Sequence, residues 1–218
     1  MISPQPARSA PERITLPGRY VRLEPLDEAH VDALFDLSTG EDGRARYDYL
    51  PMLPPASRQD VATWAERQMV LNDPLCYAVV DTDTGRCLGR QSLMNIVPDH
   101  GVIELGGILW GRDMARTRKA TEAFFLSARY IFDDLGYRRF EWKCNALNEP
   151  SRRAALRFGF QYEGIFRQHM IVKGQNRDTA WFGMTDGDWP VIKAGLEAWL
   201  APDNFDADGQ QRRKLAFG

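Results

Sequence analysis

The sequence predicts one α/β domain with a mixed central sheet of about six to seven strands and helices on both faces. Two observations carry this prediction. The hydrophobic period along the chain changes in the order strand, two helices, three strands, helix, strand, helix, two strands, helix. A strand that follows a three-strand meander through a helix needs a right-handed crossover, which puts a parallel pair into an otherwise antiparallel sheet.

The composition agrees with an ordinary globular chain. Of 218 residues, 44% are hydrophobic and 27% are charged, and a chain of this length can bury roughly 70% of the surface that its unfolded form exposes. Neither end shows a sustained period. We therefore assign residues 1–13 to a flexible arm, residues 14–201 to the domain and residues 202–218 to a tail.

The first half of the chain contains two predicted helices between predicted strands. A strand at Tyr20–Leu23 leads to a helix at Glu28–Ser38, for which Asp27 is the cap. Gly40–Ser57 is rich in Gly, Pro and Tyr and is predicted to be an irregular loop that could form a substrate wall. A second helix is predicted at Arg58–Met69.

The remaining elements are predicted by the same changes of period. Three apolar, β-rich runs at Leu75–Asp81, Arg86–Ile96 and Val102–Leu109 are separated by the turn sequences DTDTG and PDHG. The rest are a helix at Arg116–Leu135 that Gly136 ends, a strand at Arg139–Asn145, a helix at Pro150–Phe158 that Gly159 ends, strands at Tyr162–Val172 and Thr179–Met184 joined by KGQNRD, and a helix at Asp188–Leu200.

Charge and cysteine content exclude several classes of protein. The formal net charge is −2, which argues against bulk binding to nucleic acid or to an anionic membrane. Cys76, Cys87 and Cys144 form no CxxC, and the three histidines do not complete a metal-ligand spacing, so we expect buried thiols and no metal. The N-terminal segment is polar and Pro-rich, and with an odd cysteine count this predicts a cytoplasmic protein.

A glycine pair is the first candidate for a functional feature. Gly106 and Gly107 lie inside Glu104–Trp110, a run that otherwise suits a strand. Glycine in a strand commonly marks a bulge or the close approach of a ligand. The alternative is a simple packing accommodation, which the residues alone leave open.

Four cations crowd the start of the long predicted helix. Arg112, Arg116, Arg118 and Lys119 stand where the helix dipole already favours an anion. Their mutual repulsion predicts a phosphorylated ligand at this position. The alternative is that these long side chains extend into water.

The third candidate is the segment Leu147–Ser151, directly after a predicted strand. Asn148 is a competent helix cap and Pro150 is tolerated in a first turn, so capping explains much of this segment. The functional alternative is that the Asn148 amide and the Ser151 hydroxyl line a reaction centre at the end of a central strand.

Three segments carry a resemblance to a known family: IELGGILW, the stretch from ARTRKATEAFF to NEPSRRAALRFGFQYEG, and FRQHMIVKGQNRDTAWFGM. The chain resembles the GNAT-superfamily N-acetyltransferases, in the branch of the RimJ/RimL ribosomal-protein acetyltransferases. The resemblance implies a splayed sheet whose bulged strand holds the pantetheine arm of acetyl-CoA, while the following loop and helix start wrap the pyrophosphate. One departure is that Met114–Lys119 lacks the two glycines that the family usually has there.

The resemblance also implies roles for individual residues. Glu104 matches a glutamate that acts as the base through a water molecule, Ser151 matches a serine that donates toward the sulfur, and Asn148 matches an asparagine that contacts the cofactor arm. The implied acetyl-CoA contacts are Ile108, Leu109, Trp110, Arg116, Thr117, Arg118, Lys119, Ala120, Thr121 and Asn148, and the implied acceptor contacts are Tyr47, Tyr49 and Glu104.

The predicted activity is acetyl transfer to a primary amine, on a protein N-terminus or a small molecule. Because the loop lacks glycines, a non-catalytic CoA- or nucleotide-binding module stays open as an alternative, and an RNA-associated factor as a weaker one. We expect no nucleic acid, membrane or metal partner, and a homodimer could form through the 162–184 hairpin. From the residues alone, Trp110, Trp142 and Trp181 are expected to pack against helices and His169 to face the hairpin surface. Arg152, Arg153 and Arg157 are expected to form a solvated helix face, with the alternative that Arg152 or Arg153 approaches the nucleotide.

Overall fold

The computed structural model describes residues 5–217 and contains one seven-stranded sheet. The strands are β1 Val21–Pro25, β2 Leu75–Asp81, β3 Cys87–Val97, β4 Val102–Trp110, β5 Arg139–Asn145, β6 Gln161–Val172 and β7 Gln175–Thr185. They lie in the order β1-β2-β3-β4-β5-β7-β6, and only β4 and β5 run parallel. The predicted mixed sheet is confirmed.

Helices cover both faces of this sheet. They are α1 Val31–Ser38, α2 Gly40–Ala45, α3 Arg58–Val70, α4 Arg118–Arg129, α5 Glu149–Arg157 and α6 Trp189–Leu200. On the face that we call the front, α1 and α3 bury Leu34 and Val61 against Cys76 and Ala78 of β2. On the opposite or back face, α4, α5 and α6 pack on the larger core.

The back core is aromatic and fixes α4 against the middle of the sheet. The ring of Phe124 in α4 stacks on Phe158 at 4.5 Å and on Phe140 of β5 at 6.2 Å between centroids. Because side chains alternate along a strand, β5 sends Phe140 and Trp142 to this core. Its intervening polar residues Glu141 and Lys143 are left for the front face.

Three predicted elements need correction. The predicted loop at Gly40–Ser57 contains the short helix α2. Its sequence, GEDGRA, has no apolar period from which a helix could be predicted. The helix predicted from Arg116 begins at Arg118, because Arg116 has a left-handed backbone (φ 63°) and Thr117 is the N-cap. The last turn of that helix, Tyr130–Asp134, is π-helical.

The final hairpin turns more tightly than predicted. The sequence KGQNRD was predicted to join the two strands, but β7 already begins at Gln175. Lys173 and Gly174 form the turn and both have positive φ values, 51° and 73°. A two-residue turn with two positive φ values matches the twist of the flanking strands, which explains why both strands continue up to it.

Both terminal segments make contacts with the domain where the structure describes them. Arg8 donates through Nη1 to the carbonyls of Asp133 and Asp134, at 3.0 and 2.9 Å. Phe205 is buried against Tyr20 and Trp199. Residues 1–4 of the predicted arm and residue 218 of the predicted tail lie outside the described residues.

The sheet opens between its two parallel strands. β4 pairs with β5 only from Val102 to Leu105, opposite Arg139 to Trp142. Beyond this point β5 continues beside β7 as far as Asn145, whereas β4 continues beside β3 as far as Trp110. The strands therefore diverge, and this splay positions the candidate site.

Candidate active site

A bulge lies on β4 at the start of the splay, as the glycine pair predicts. Gly106 pairs with Ser92 and Leu109 pairs with Arg90, so Gly107 and Ile108 together face the single residue between those partners. Gly107 has φ 59°, a left-handed conformation that glycine adopts without strain. The extra residue turns the β4 backbone at the point where its parallel partner is lost.

A cavity of about 1430 Å³ occupies the splay and is lined from both faces of the sheet. On the front it is lined by Arg90, Ser92, Met94, Glu104, Lys143 and Trp181. On the back it is lined by Ala120 and Thr121 of α4, Ala154 and Arg157 of α5, and Phe158. A ligand threaded through the splay would therefore contact both faces of the sheet.

Glu104 lies at the narrow end of the splay and is only 5% exposed. Its Oε2 accepts a hydrogen bond from Asn95 Nδ2 at 2.6 Å and pairs with Lys143 Nζ at 2.9 Å. Lys143 Nζ also pairs with Glu141 Oε2 at 2.8 Å, and it stands 4.0 Å from the centre of the Trp181 ring. Lys143 thus pairs with two carboxylates, of which Glu104 lines the cavity.

The electrostatics of this cluster raise the pKa of Glu104 and the pKa of Lys143 above their ordinary values. Burial raises the pKa of Glu104 above its ordinary value, Lys143 and Asn95 oppose that rise, and the charge of Glu141 adds to it. Burial favours the neutral amine of Lys143, but the two carboxylates outweigh it and raise the pKa of Lys143. Lys143 therefore stays charged and holds Glu104 in place.

Ser151 and Asn148 share the start of α5, on the far side of the splay. Asn148 Oδ1 accepts from the Ser151 backbone N–H at 3.1 Å, so the amide caps the helix as predicted. Ser151 Oγ accepts from Trp142 Nε1 at 2.9 Å. That bond occupies an oxygen lone pair and leaves the hydroxyl hydrogen to be donated, with the Cys144 sulfur as its neighbouring acceptor. Both Ser151 and Asn148 line the cavity.

The four predicted cations separate into two groups. Lys119 pairs with the buried Asp81, and Arg112 lies 3.5 Å from Asp42 outside the cavity lining. Arg116 and Arg118 line the cavity and make no ion pair within residues 5–217. Lys119 lines the cavity as well. Arg116 and Arg118 are therefore the two predicted cations that line it without an ion pair within residues 5–217.

The other predicted contacts do not all reach the cavity. Ile108, Trp110, Thr117 and Ala120 line it, and Tyr49 lines its front part. The side chains of Tyr47 and Leu109 instead line a separate cavity of about 140 Å³. Tyr47 is buried and shares a hydrogen bond with Ser38 Oγ at 2.7 Å, which keeps its hydroxyl away from the splay.

Several cavity residues were not predicted as functional. Lys143 had no assigned role, Trp181 was expected only to pack, and Arg157 was expected to face water. Arg157 instead donates to Thr121 Oγ1 at 3.0 Å and lies over the Trp199 ring. His169, expected on the hairpin surface, lines the cavity and shares a hydrogen bond between Nδ1 and Thr179 Oγ1 at 3.0 Å.

Residues 5–217 contain neither a metal-binding group nor a membrane-spanning helix. No three His, Cys, Asp or Glu side chains in this range come together as a metal-binding group. None of the helices in the same range is long and apolar enough to cross a membrane.

Known proteins match the chain along most of its length. The family described as "Acetyltransferase (GNAT) domain" matches residues 21–161. The crystal structure of a GCN5-related N-acetyltransferase from Brucella melitensis is 52% identical with a TM-score of 0.94, covering 99% of this chain and 97% of that one. A GNAT-family structure from Chromobacterium violaceum is 40% identical with a TM-score of 0.80, covering 87% and 94%.

A more distant structure bears on the predicted branch. An acetyltransferase from Salmonella typhimurium, described as modifying the N-terminal serine of ribosomal protein L7/L12, is 19% identical. Its TM-score is 0.70, and the match covers 79% of this chain and 99% of that one. At this identity the likeness shows a common fold alone. No protein with curated functional information matches the chain.

Proposed function

This chain belongs to the GNAT acetyltransferase family, and from that premise we propose that it transfers an acetyl group from acetyl-CoA to a primary amine. The observation that carries the proposal is the buried Glu104, which lies beside the β4 bulge at the narrow end of the splay. The acceptor is a protein N-terminus, as in the RimJ/RimL-like branch, or a small-molecule amine.

The back part of the cavity suits the donor. The β4 backbone beyond Leu105 has lost its parallel partner, so its polar groups can pair with the pantetheine amides. Arg116 and Arg118, together with the start of α4, would hold the phosphates. Arg157 adds a third cation on α5. The residues present therefore fit acetyl-CoA, although the loop lacks glycine.

The front part of the cavity suits the amine and its proton. Glu104 accepts a proton from the amine, directly or through one water molecule, as the nitrogen attacks the thioester carbonyl. The new N–C bond forms as the C–S bond breaks. Ser151 Oγ, already fixed by Trp142, donates a hydrogen bond to the departing sulfur.

The first experiment follows thiol release from acetyl-CoA with N-terminal peptides and small amines. Glu104→Gln should lower kcat/KM at least about a hundredfold, because it removes the proton acceptor, while CoA affinity stays the same. The control is Glu66→Gln, which changes an exposed glutamate on α3 and should keep full activity.

Two results would contradict this proposal. A fully active Glu104→Gln variant would make Glu104 a structural carboxylate. Binding of CoA without turnover on any acceptor would favour the alternative, a non-catalytic CoA-binding module. That alternative is motivated by the glycine-free loop and by the left-handed backbone at Arg116.

A further inference from the structure

Arg90 is a buried cation on the front wall of the cavity. It lies on β3, is 3% exposed, and lines the cavity that Glu104 also lines. Its Nη1 donates to the Gly107 carbonyl, its Nη2 lies 3.3 Å from Met52 Sδ, and its guanidinium lies 4.5 Å from the centre of the Trp64 ring.

The positive charge of Arg90 has no matching negative charge. A guanidinium stays protonated in a protein, and within residues 5–217 no carboxylate comes within ion-pair distance of it. Burying a charge without a partner is costly. Lys143, in the same cavity, shares two carboxylates instead. Arg90 is therefore as buried as an arginine in a buried ion pair, but it has no anionic partner within residues 5–217.

The present partners of Arg90 leave room for a stronger one. A thioether sulfur is a weak hydrogen-bond acceptor, and Met52 belongs to the irregular segment that precedes α3. A carboxylate on the Nη2 side would form a charge-assisted hydrogen bond in place of this weak contact. The planar fork of an arginine also suits a carboxylate geometrically.

The position of Arg90 relates this charge to the reaction centre. It binds the carbonyl of the bulge residue Gly107, and a Cβ on Gly107 would lie 3.5 Å from Arg90 Nη1. A Cβ on the neighbouring Gly106 would lie 3.3 Å from Glu104 Oε1. Arg90 and Glu104 thus lie beside the two neighbouring glycines at the bulge. In the proposed function the amine attacks the acyl group at this place.

We propose that Arg90 binds a carboxylate carried by one of the two substrates, a proposal that rests on the proposed function. The carboxylate belongs either to the acyl group, in which case the donor is a dicarboxylic acyl-CoA, or to the amine acceptor, in which case the acceptor is an amino acid or a similar amino carboxylate. In both cases the guanidinium supplies the recognition and takes no part in bond breaking.

Two matched substrate pairs test this proposal and distinguish the sources. The donor pair is succinyl-CoA and acetyl-CoA, and the acceptor pair is glycylglycine and glycylglycinamide. For one pair we expect the wild-type protein to prefer the carboxylate member by at least about tenfold in kcat/KM, and Arg90→Gln to abolish that preference. Arg13→Gln is the control, since Arg13 also donates to a backbone carbonyl but lies outside the cavity lining.

The outcomes separate this proposal from the proposed function. Equal rates within both pairs for the wild-type protein, or a preference that survives in Arg90→Gln, would overturn the role of Arg90. If Arg90→Gln does not fold, Arg90→Met replaces it, because it also removes the charge, and an unchanged preference in that variant equally overturns the role of Arg90. If no pair is turned over, the proposed function fails. The role of Arg90 is then tested by calorimetry, which compares the dissociation constants within each substrate pair for the wild-type protein and for Arg90→Gln.

Discussion

At the residue scale, the positive charge of Lys143 favours the ionised form of Glu104. The lysine bridges Glu104 and Glu141 with distances of 2.9 and 2.8 Å inside a largely buried cluster. Without its charge the two carboxylates would face each other with only Asn95 to stabilise Glu104. In the proposed reaction Lys143 is thus a positioning residue, which acts through the proposed base Glu104.

The variant Lys143→Met tests this role by a pH profile. A carboxylate that loses an opposite charge is harder to ionise, by about one pKa unit or more. Since Glu104 must be deprotonated to act, the acidic limb of kcat/KM should move to higher pH by about that amount. In Lys143→Arg the acidic limb should return most of the way to its wild-type pH. Lys193→Met breaks an ion pair with Asp133 away from the cavity, and it should leave the acidic limb at the wild-type pH. An unmoved limb in Lys143→Met would refute the role.

The residue pattern of β5 contains a signal for Lys143. In β5, Glu141, Lys143 and Asn145 are polar at a period of two, between apolar residues that face the back core. A polar stripe on a central strand predicts a polar cavity or a solvated face. The sequence could not choose between these, because the choice depends on the parallel pairing of β4 with β5, which puts Glu104 beside Glu141 of this stripe.

At the element scale, the loop before α4 bears an unusual backbone. Arg116 has φ 63°, a left-handed conformation that costs a non-glycine residue about 1 to 2 kcal/mol. Such strain occurs where the surrounding structure or a function requires the residue. Here the Arg116 side chain lines the cavity and makes no ion pair within the described residues. This fits a position where the positive charge is needed although the backbone conformation is strained.

Two variants at Arg116 separate the backbone from the charge. Arg116→Gly relieves the strained conformation, whereas Arg116→Ala retains it, so the glycine variant should be the more stable by about 1 kcal/mol. Both variants lose the cation and should bind CoA about tenfold more weakly. Thermal unfolding without ligand and calorimetry with CoA measure the two effects. Equal stability of the two variants would contradict the strain, and unchanged CoA affinity would remove Arg116 from the phosphate site.

Elements with a strong local signal were predicted well, and those decided by packing were not. The glycine pair marked the bulge because few other residues permit it, and the long apolar faces marked α4 and the meander. The short α2 has no such face. The π-helical turn at Tyr130–Asp134 depends on how buried side chains fit the core, which a periodic pattern does not record.

At the scale of the whole molecule, the C-terminal segment completes the back of the cavity. Phe205 and residues 208–211 line it although they follow the last long helix. Arg118 lies between the rings of Tyr20 and Phe205, at 4.2 and 5.2 Å from their centres. Isolated anchors such as Phe205 have no period, so the sequence analysis separated this segment from the domain, while the structure joins it to the ligand cavity.

Phe205→Ala tests the contribution of this segment to the donor site. Removing the buried ring should lower the free energy of unfolding by about 3 kcal/mol. It should also weaken CoA binding by about fivefold, because Arg118 loses one of its two aromatic neighbours. Phe217→Ala is the control, since Phe217 packs beside Gly195 outside the cavity lining and should leave CoA affinity unchanged. Equal CoA affinity of both variants would show that the segment only stabilises the fold.

The splay gives the cavity one wall on each face of the sheet, and this has a consequence for how the protein can diversify. The proposed donor contacts come from α4, α5 and the C-terminal segment, whereas the proposed acceptor contacts come from the segment before α3 and from the final hairpin. Each set belongs to different stretches of chain, and only the bulge and Glu104 are common to both. Substitutions before α3 or in the final hairpin would therefore leave the proposed donor contacts in place, so that the choice of amine can change while the donor stays the same.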